Sequence, residues 1–381
     1  MARDRALEDV GVRAAMSAEE RKTHRGRPVS VDGTQDVLGS WLTQHSRSRD
    51  SAYWLDRPVL VTGCTGILGS WLTIALVDAG AAVTGLIRDE VPFTHLRRSG
   101  YQDRIRVVRG DVTDYALVER ALNEYEIDTI FHLAAQTIVP IANRAPLSAF
   151  ETNIKGTWTV LEAARRSPKT ECTIVASSDK AYGEHEDLPY TEDVPLRGCY
   201  PYDVSKACAD RIARSYAVTY GMRVSVTRCA NLYGGGDLNW SRLVPGTIRS
   251  VLRGRRPVIR SDGTLLRDYL YIPDAVDGYI TLAEQMDIPD VQGEAFNFGL
   301  DDPKSVMDVV QAIIDVSDQP TLEPLVLGEA ENEIQEQYLD SSKAREELGW
   351  APEHSLHAGL RETLAWYREF LGHVNLQARE S

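Results

Sequence analysis

The stretch TGCTGILG at residues 62–69 constrains the fold more than any other part of the chain. A strand-like apolar run, RPVLVT, leads into it, and a helix-like run, ILGSWLTIALVDAG, follows from it. Three glycines, Gly63, Gly66 and Gly69, therefore stand at a turn between a buried strand and a helix. Glycine there allows a sharp turn, close approach of a phosphate to the helix amides, and tight packing of helix on strand. The pattern predicts a βαβ unit with a dinucleotide phosphate turn.

Strand-like and helix-like segments alternate beyond this turn. The predicted strands are AAVTGLI, RIRVVRG, DTIFHLA, CTIVASS and RVSVTR, and helical patterns such as DYALVERALNEYE and AFETNIKGTWTVLEAARRS separate most of them. This alternation predicts an α/β fold, a Rossmann-type doubly wound parallel sheet with right-handed crossovers. The alternation becomes less regular after residue 236, which indicates a smaller C-terminal α/β substrate lobe.

We predict three regions along the chain. Residues 1–50 are polar and have one short apolar cluster, so they form an N-terminal extension without a core of its own. Residues 54–235 form the dinucleotide-binding Rossmann domain. Residues 236–372 mainly form the substrate-binding lobe, and some of its segments are expected to return to the Rossmann domain.

Net charge excludes some classes of binding partner, and the cysteines indicate the cellular compartment. A net charge of -14 argues against binding to nucleic acid or to an anionic membrane surface. The five cysteines form no CxxC pair and have no histidine at metal-ligand spacing, so we predict reduced thiols, a cytoplasmic location and no metal site. The most apolar window is broken by Asp78 and glycines and is shorter than the ~20 residues of a membrane span. The N-terminus lacks the apolar core of a signal peptide.

The residues after the second and third strands bear on the cofactor. The second strand runs into Arg88 and Asp89. Asp89 would hold the adenosine ribose, and Arg88 would either stack on the adenine or meet a 2′-phosphate. NAD and NADP both remain open on this evidence. Asp111 and Val112 follow the third strand, and we place them at the adenine edge.

A tyrosine and a lysine stand four residues apart in YPYDVSKAC. Tyr202 and Lys206 therefore project from one face of the helix that this segment opens. A nearby ammonium stabilises a tyrosinate and would lower the pKa of the phenol toward the working pH. The pair is predicted to accept the proton of an alcohol that a nicotinamide oxidises.

With these features the chain resembles the extended short-chain dehydrogenase/reductase family, which includes nucleotide-sugar epimerases and dehydratases. The resemblance covers about residues 54–370. It rests on motifs in the family's order: TGCTGILG, GDV at 110–112, HLAAQ at 132–136, SSDK, YPYDVSK, RCANLYG, LLRDYLYIPDAVDGY and DSSKAREELGW. It implies a nucleotide-diphosphate sugar as substrate, a tightly bound and recycled NAD or NADP, and a homodimer.

The resemblance also assigns residues. It implies a catalytic trio of Ser178, Tyr202 and Lys206. The cofactor would be bound by Tyr202 and Lys206 together with Gly63, Thr65, Gly66, Ile67, Leu68, Gly69, Arg88, Asp111, Val112, Leu133, Ala134, Ala135 and Gln136. The substrate would be bound by Gln136, Ser178, Asn231 and Arg267. Tyr338 either contacts the substrate nucleotide or packs as an ordinary aromatic residue.

The pair Asp179–Lys180 in SSDK separates the reactions within the family. A 4-epimerase only moves a hydride on and off C4, whereas a 4,6-dehydratase also removes the C5 proton and expels the C6 hydroxyl. The dehydratase branch resembles this chain in placing an acidic donor at Asp179. Many of its members place a glutamate at the position of Lys180, while the CDP-glucose branch has an SDK-like triplet. We predict that Asp179 is the acid, and that Lys180 is either the C5 base or only the ion-pair partner of Asp179.

The leading interpretation is an NDP-hexose 4,6-dehydratase, most like the CDP-glucose and GDP-mannose enzymes. The rivals are an NDP-sugar 4-epimerase, a UDP-glucuronate decarboxylase-type enzyme and a non-catalytic dinucleotide-binding protein. The nucleotide stays open among CDP, GDP, UDP and dTDP, because the segment 265–279 resembles general epimerases and GDP-mannose dehydratases more than the CDP-glucose branch.

Overall fold

The computed structural model describes residues 51–329 and 333–380. The polar extension predicted at 1–50 lies outside the described residues. Buried apolar runs of four to six residues form the strands of the main sheet, as expected of a sheet covered on both faces. The strands of this sheet are β1 (Pro58–Thr62), β2 (Ala82–Ile87), β3 (Arg106–Arg109), β4 (Thr129–His132), β5 (Cys172–Ala176), β6 (Val224–Cys229) and β11 (Ala295–Phe298).

These seven strands are ordered β11-β6-β5-β4-β1-β2-β3, and every neighbouring pair is parallel. The predicted Rossmann-type doubly wound sheet is therefore confirmed. β11 follows residue 236 in the sequence but belongs to this sheet. The division of the chain at 235–236 stays a prediction.

Helices cover the sheet and build the rest of the molecule. They are α1 (Ser51–Trp54), α2 (Ile67–Asp78), α3 (His95–Arg98), α4 (Tyr115–Glu124), α5 (Val139–Arg144), α6 (Pro146–Phe150), α7 (Gly156–Arg166), α8 (Pro201–Tyr220), α9 (Leu243–Leu252), α10 (Ile272–Glu284), α11 (Val306–Asp315), α12 (Ser342–Leu348) and α13 (Leu356–Glu380). Among the described residues, three 3₁₀ turns occupy Tyr101–Arg104, Asp179–Tyr182 and Pro289–Val291. No helix in the described part of the chain is long and apolar enough to span a membrane.

A π turn interrupts one predicted helix. The pattern at 149–167 predicts a single helix, whereas the structure has α6, a π turn at Glu151–Lys155 and then α7. Such turns often occur at functional sites, because they reorient one side chain. Here the turn carries Asn153, which is buried and donates to Ser205 on α8.

Short strands complete the C-terminal part. They are β7 (Asn231–Tyr233), β8 (Val258–Ile259), β9 (Leu266–Arg267), β10 (Tyr269–Tyr271), β12 (Lys304–Ser305), β13 (Leu325–Val326) and β14 (Glu336–Gln337). β9 lies between β12 and β14, β10 pairs with β7, and β13 pairs with β8. The parallel pairing of β9 with β14 brings residues 336–337 beside residues 266–267.

A buried ion pair ties the site to the sheet. Arg228 on β6 donates to both carboxylate oxygens of Asp210 on α8 at 2.8 and 3.0 Å, and both side chains are almost fully buried. Arg228 also donates to the Tyr182 hydroxyl at 2.9 Å, and Tyr182 donates to Asn297 on β11 at 2.7 Å. This network joins β6, α8, β11 and the turn that follows β5.

We expect Asp210→Asn to lower the free energy of unfolding by about 3–5 kcal/mol, because it leaves a buried guanidinium without its counter-ion. The control is Glu162→Gln, which removes the exposed pairs with Arg165 and Arg166 and should cost much less. Urea unfolding of both variants measures the difference. Equal losses would show that the buried pair does not stabilise the fold.

Candidate functional site

A cavity of about 570 Å³ opens at the carboxyl edge of the parallel sheet, where this fold binds ligands. The ends of β1, β4, β5 and β6 contribute Gly63, Leu133, Ala176 and Cys229. α2, α8 and the 237–245 segment form further walls. All five predicted catalytic residues line it: Ser178, Asp179, Lys180, Tyr202 and Lys206.

At two glycines of the phosphate turn, Gly63 and Gly69, a side chain would clash with neighbouring backbone atoms. Gly63 has φ of +75°, and a Cβ there would lie 2.8 Å from the Ala134 amide nitrogen. A Cβ on Gly69 would lie 2.1 Å from the Gly63 carbonyl oxygen. At Gly66, by contrast, the nearest atom to a Cβ is at 3.4 Å, so this position leaves room in front of the first turn of α2. The turn therefore fits a dinucleotide pyrophosphate held by the helix amides.

Most residues predicted to contact the cofactor border the cavity. Those that line it are Gly63, Thr65, Gly66, Ile67, Leu68, Gly69, Leu133, Ala135, Tyr202 and Lys206. Arg88, Asp111, Val112, Ala134 and Gln136 lie outside its lining. Their assignment to the cofactor stays a prediction.

Arg88 lies among carboxylates at the ends of β2 and β3. Its guanidinium is 2.7 Å from the Asp89 carboxylate and 3.9 Å from that of Asp111. All three side chains are well exposed, so they lie at the surface where the adenosine half of a dinucleotide would end. The positive charge of Arg88 is thus already shared by two carboxylates.

Asn153 is a buried residue that the sequence analysis missed. Its Oδ1 accepts from the Gln136 backbone amide at 2.7 Å, and its Nδ2 donates to Ser205 Oγ at 2.8 Å. The Gln136 side chain accepts from the Ile138 amide at 3.1 Å instead of facing the cavity. Asn153 therefore fixes the loop after β4 against the helix that carries Tyr202.

Tyr202 and Lys206 both lie on α8, the helix that the sequence predicts for them, and both are buried. Burial raises the pKa of the Tyr202 phenol to about 12, although a hydrogen bond with Ser178 opposes the shift. The expectation that Lys206 would lower this pKa is therefore wrong for the protein alone, because desolvation of the tyrosinate dominates. Lys206 Nζ donates to the Ala176 carbonyl at 2.6 Å. Burial lowers the pKa of Lys206 to about 8.

Ser178 connects the tyrosine to the first carboxylate. Its Oγ donates to Asp179 Oδ1 at 2.9 Å and also accepts from the Lys180 backbone amide at 3.2 Å. The Asp179 side chain is only 4% exposed, yet the residue lines the cavity. A tyrosine, a serine and a carboxylate thus form one hydrogen-bonded chain along the cavity wall.

Lys180 lies next to Asp179 at the same wall. Its Nζ is 3.6 Å from Asp179 Oδ2 and donates to Gln337 Oε1. Burial lowers the pKa of Lys180, and the nearby Arg267 lowers it further. The carboxylates of Asp179 and Asp203 raise this pKa. Asp203 is the second carboxyl near Lys180, and burial raises its pKa to about 6.

The three remaining substrate predictions have different outcomes in the structure. Asn231 lines the cavity, and its Nδ2 donates to the Asp268 carbonyl at 3.1 Å. Arg267 lies outside the lining, because its guanidinium donates to the carbonyls of Leu266, Ile334 and Gln335. Tyr338 is half-buried outside the lining, and its carbonyl accepts from Tyr190. The substrate roles of these residues stay predictions.

Polar residues of the C-terminal part were also missed. Arg242 and Arg260 line the cavity, as do Asp237, Asn239 and Ser241. Arg242 pairs with Asp237 at 3.0 Å. The sequence offered two signals for these guanidiniums, namely the six arginines between residues 242 and 260 and the need for cations around a diphosphate.

His132 at the end of β4 has a structural role. Its ring nitrogens lie 2.9 Å from Thr62 Oγ1 and 3.1 Å from Thr157 Oγ1. Burial lowers its pKa to about 3, so the ring is neutral. Within residues 51–329 and 333–380, no group of three or more His, Cys, Asp or Glu side chains is arranged to hold a metal ion.

Comparison with known proteins places this geometry among enzymes of nucleotide sugars. A family model described as GDP-mannose 4,6 dehydratase matches residues 60–363. The dTDP-glucose 4,6-dehydratase of Mycolicibacterium smegmatis is 33% identical over 271 residues, covering 70% of this chain and 79% of the relative. The CDP-glucose 4,6-dehydratase of Salmonella typhimurium is 29% identical over 279 residues, covering 69% and 76% respectively.

Solved structures of both reaction types are similar to this fold. A dTDP-glucose 4,6-dehydratase double mutant of Streptomyces venezuelae, with NAD bound, has a TM-score of 0.72 at 28% identity and covers 82% of this chain and 98% of its own. The UDP-glucose 4-epimerase of Thermotoga maritima, with UDP-glucose, has a TM-score of 0.76 at 27% identity and covers 82% and 99%. Fold similarity alone therefore does not separate the two reactions.

Proposed function

Because the chain belongs to the GDP-mannose 4,6-dehydratase family of extended short-chain dehydrogenases/reductases, we propose which residues carry out each step of its reaction. The protein is a nucleotide-sugar 4,6-dehydratase that depends on a nicotinamide dinucleotide. It converts an NDP-hexose into an NDP-4-keto-6-deoxyhexose and releases one water. The observation that carries the residue assignments is the placement of Asp179 and Lys180 beside Ser178 and Tyr202 on one cavity wall.

The first step is oxidation of the C4 hydroxyl. Tyr202 takes the proton of that hydroxyl, and Ser178 holds the sugar oxygen in place through its own hydroxyl. The phenol needs electrostatic help, since burial holds its pKa near 12. Lys206, four residues along the same helix, would hold the cofactor ribose and supply positive charge beside the phenol. When bound, the nicotinamide supplies a reversible hydride acceptor.

The second step is elimination of water across C5 and C6. The C4 ketone acidifies the C5 proton, and Lys180 removes it. Asp179 gives a proton to the C6 hydroxyl, which leaves as water. The hydride taken from C4 is returned to C6 and a proton is returned to C5, so the reaction is redox neutral. Asp179 and Lys180 thus act together in the elimination of water, a step that a 4-epimerase does not perform.

We assign NAD rather than NADP as the cofactor. The exposed Arg88 is already paired with Asp89 and lies near Asp111. A 2′-phosphate would place two further negative charges beside those carboxylates. The dehydratase structures of Bacillus anthracis and Streptomyces venezuelae were solved with NAD. Mass spectrometry of the nucleotide released on denaturation tests this assignment.

An NMR assay with four NDP-hexoses identifies the nucleotide of the substrate. The purified protein is incubated separately with CDP-, GDP-, dTDP- and UDP-hexoses without added reductant and followed by NMR. A C6 methyl doublet with a C4 ketone or its hydrate establishes dehydration and names the nucleotide. Conversion to the C4 epimer without a methyl signal would support the epimerase that has the similar fold.

We also propose a cytoplasmic homodimer. All five cysteines are unpaired thiols, which suits a reducing compartment. Large apolar side chains are exposed on α6, α7 and α8, including Leu147 (77% exposed), Trp158 (45%) and Val218 (84%). We expect light scattering to give about twice the chain mass of 42.4 kDa. A mass of one chain at micromolar concentration would contradict the dimer.

A further inference from the structure

Gln337 is a buried polar residue that none of the steps above uses. It lies on β14, pairs in register with Arg267 on β9, and has no exposed surface. Burying an amide costs free energy unless each of its polar atoms has a partner. Both of its partners belong to the turn that carries the proposed acid and base, 157 and 158 positions away in sequence.

The two ends of the Gln337 amide contact different groups. Its Nε2 donates to the Asp179 backbone carbonyl at 3.2 Å. A carbonyl oxygen only accepts hydrogen bonds, so the nitrogen must be the end that faces it. The oxygen Oε1 is therefore left to accept from Lys180 Nζ. The amide can satisfy both groups only in this orientation.

We propose that Gln337 is a positioning residue for the elimination step: it holds Lys180 Nζ beside Asp179 at the cavity wall, and it does so without adding a charge. The inference rests on the proposed role of Lys180 as the C5 base. One amide fixes the backbone of the acid and the side chain of the base together, so the two groups keep their spacing relative to C5 and C6.

The neutrality of the amide matters because of the charges around Lys180. Asp179 and Asp203 both favour its ammonium form, while Arg267 and burial favour the neutral amine. A base needs the neutral form. A carboxylate in place of the Gln337 amide would be a third negative neighbour at hydrogen-bonding distance and would favour the ammonium. An amide provides the same geometry while leaving that balance unchanged.

The segment that leads into β14 also contacts Arg267. The carbonyls of Ile334 and Gln335, just before β14, accept from the Arg267 guanidinium. Arg267 is the residue predicted to contact the diphosphate. The segment 334–337 therefore holds both Arg267 and the Asp179–Lys180 turn.

The test compares Gln337→Glu and Gln337→Met across pH, with Gln335→Glu as the control on the same segment. Gln335 is exposed, and its side chain donates only to Thr264 among the described residues, at 3.1 Å. Two rates are measured on the intact holoenzyme: the appearance of reduced nicotinamide absorbance, which reports C4 oxidation, and formation of the C6 methyl product. Lys180→Met is measured alongside.

We expect Gln337→Glu to shift the acid limb of the dehydration profile to higher pH by about one to three units, because the new carboxylate favours the Lys180 ammonium. Gln337→Met should slow dehydration about tenfold or more at every pH by releasing the amine. C4 oxidation should stay near the wild-type rate in both variants, and Gln335→Glu should match the wild type throughout.

Two results would overturn the inference. One is an unshifted pH profile in Gln337→Glu together with wild-type dehydration in Gln337→Met. The other is an equal loss of C4 oxidation and dehydration, which a general structural role would produce. If dehydration is impaired in Lys180→Met and either result is observed, the base role of Lys180 is kept and only the positioning role of Gln337 is rejected. Wild-type dehydration in Lys180→Met would instead refute the base role itself.

Discussion

Tyr202→Phe is expected to lower the turnover of the NDP-hexose by about 10²- to 10⁴-fold, the range typical of a lost general acid–base group. The phenol is the group that takes the C4 hydroxyl proton, and phenylalanine has none to exchange. The ring itself packs against Ala142 and Ala149, so the variant keeps the shape of the site. Both C4 oxidation and product formation should fall together, because oxidation precedes elimination.

The measurement is stopped-flow absorbance of reduced nicotinamide combined with NMR of the product. Tyr220→Phe serves as the control, since it removes a hydroxyl from the exposed end of the same helix. Circular dichroism of both variants checks that they are folded. A Tyr202→Phe protein that oxidises C4 at the wild-type rate would exclude Tyr202 as the proton acceptor.

Asp179→Asn should separate the two halves of the reaction. An asparagine amide cannot give a proton to the departing C6 hydroxyl, so dehydration should fall by about 10²- to 10⁴-fold. C4 oxidation does not use this carboxyl, and its rate should change little. The variant should therefore accumulate reduced cofactor and the 4-keto hexose on addition of substrate.

Asp187→Asn is the matched control for that experiment. Asp187 is exposed in the loop that follows the same turn, and its substitution should leave both rates unchanged. Wild-type dehydration in Asp179→Asn would remove Asp179 from the mechanism. A loss of C4 oxidation as large as the loss of dehydration would mean that Asp179 acts through the hydroxyl of Ser178 rather than as the acid.

Local patterns in the sequence predicted the parallel sheet and singled out residues that line the cavity. The glycine turn at 62–69 and the spacing of Tyr202 and Lys206 are short-range features, and backbone geometry alone turns them into structure. The parallel sheet follows for the same reason, since alternating strands and helices permit few connections. Ser178, Asp179 and Lys180 line the cavity because they follow directly on the end of β5.

The features that sequence analysis missed or misjudged depend on long-range packing. Gln337 reaches Lys180 from β14, and Asn153 reaches Ser205 through a π turn that the helical pattern conceals. Burial of the Tyr202 phenol raises its pKa, and this effect outweighs the stabilisation of the tyrosinate expected from a neighbouring lysine. Arg267 illustrates the same limit, because two of the carbonyls that accept from its guanidinium lie 67 and 68 residues away in sequence.

The central claim is that one enzyme oxidises C4, removes water across C5 and C6, and returns the same hydride to C6. The most direct test is NMR of the reaction with an NDP-hexose carrying deuterium at C4. We predict that the product has a 4-keto group and that its C6 methyl carries the deuterium. A product that retains deuterium at C4 with inverted configuration, and has no methyl group, would contradict dehydration and identify an epimerase.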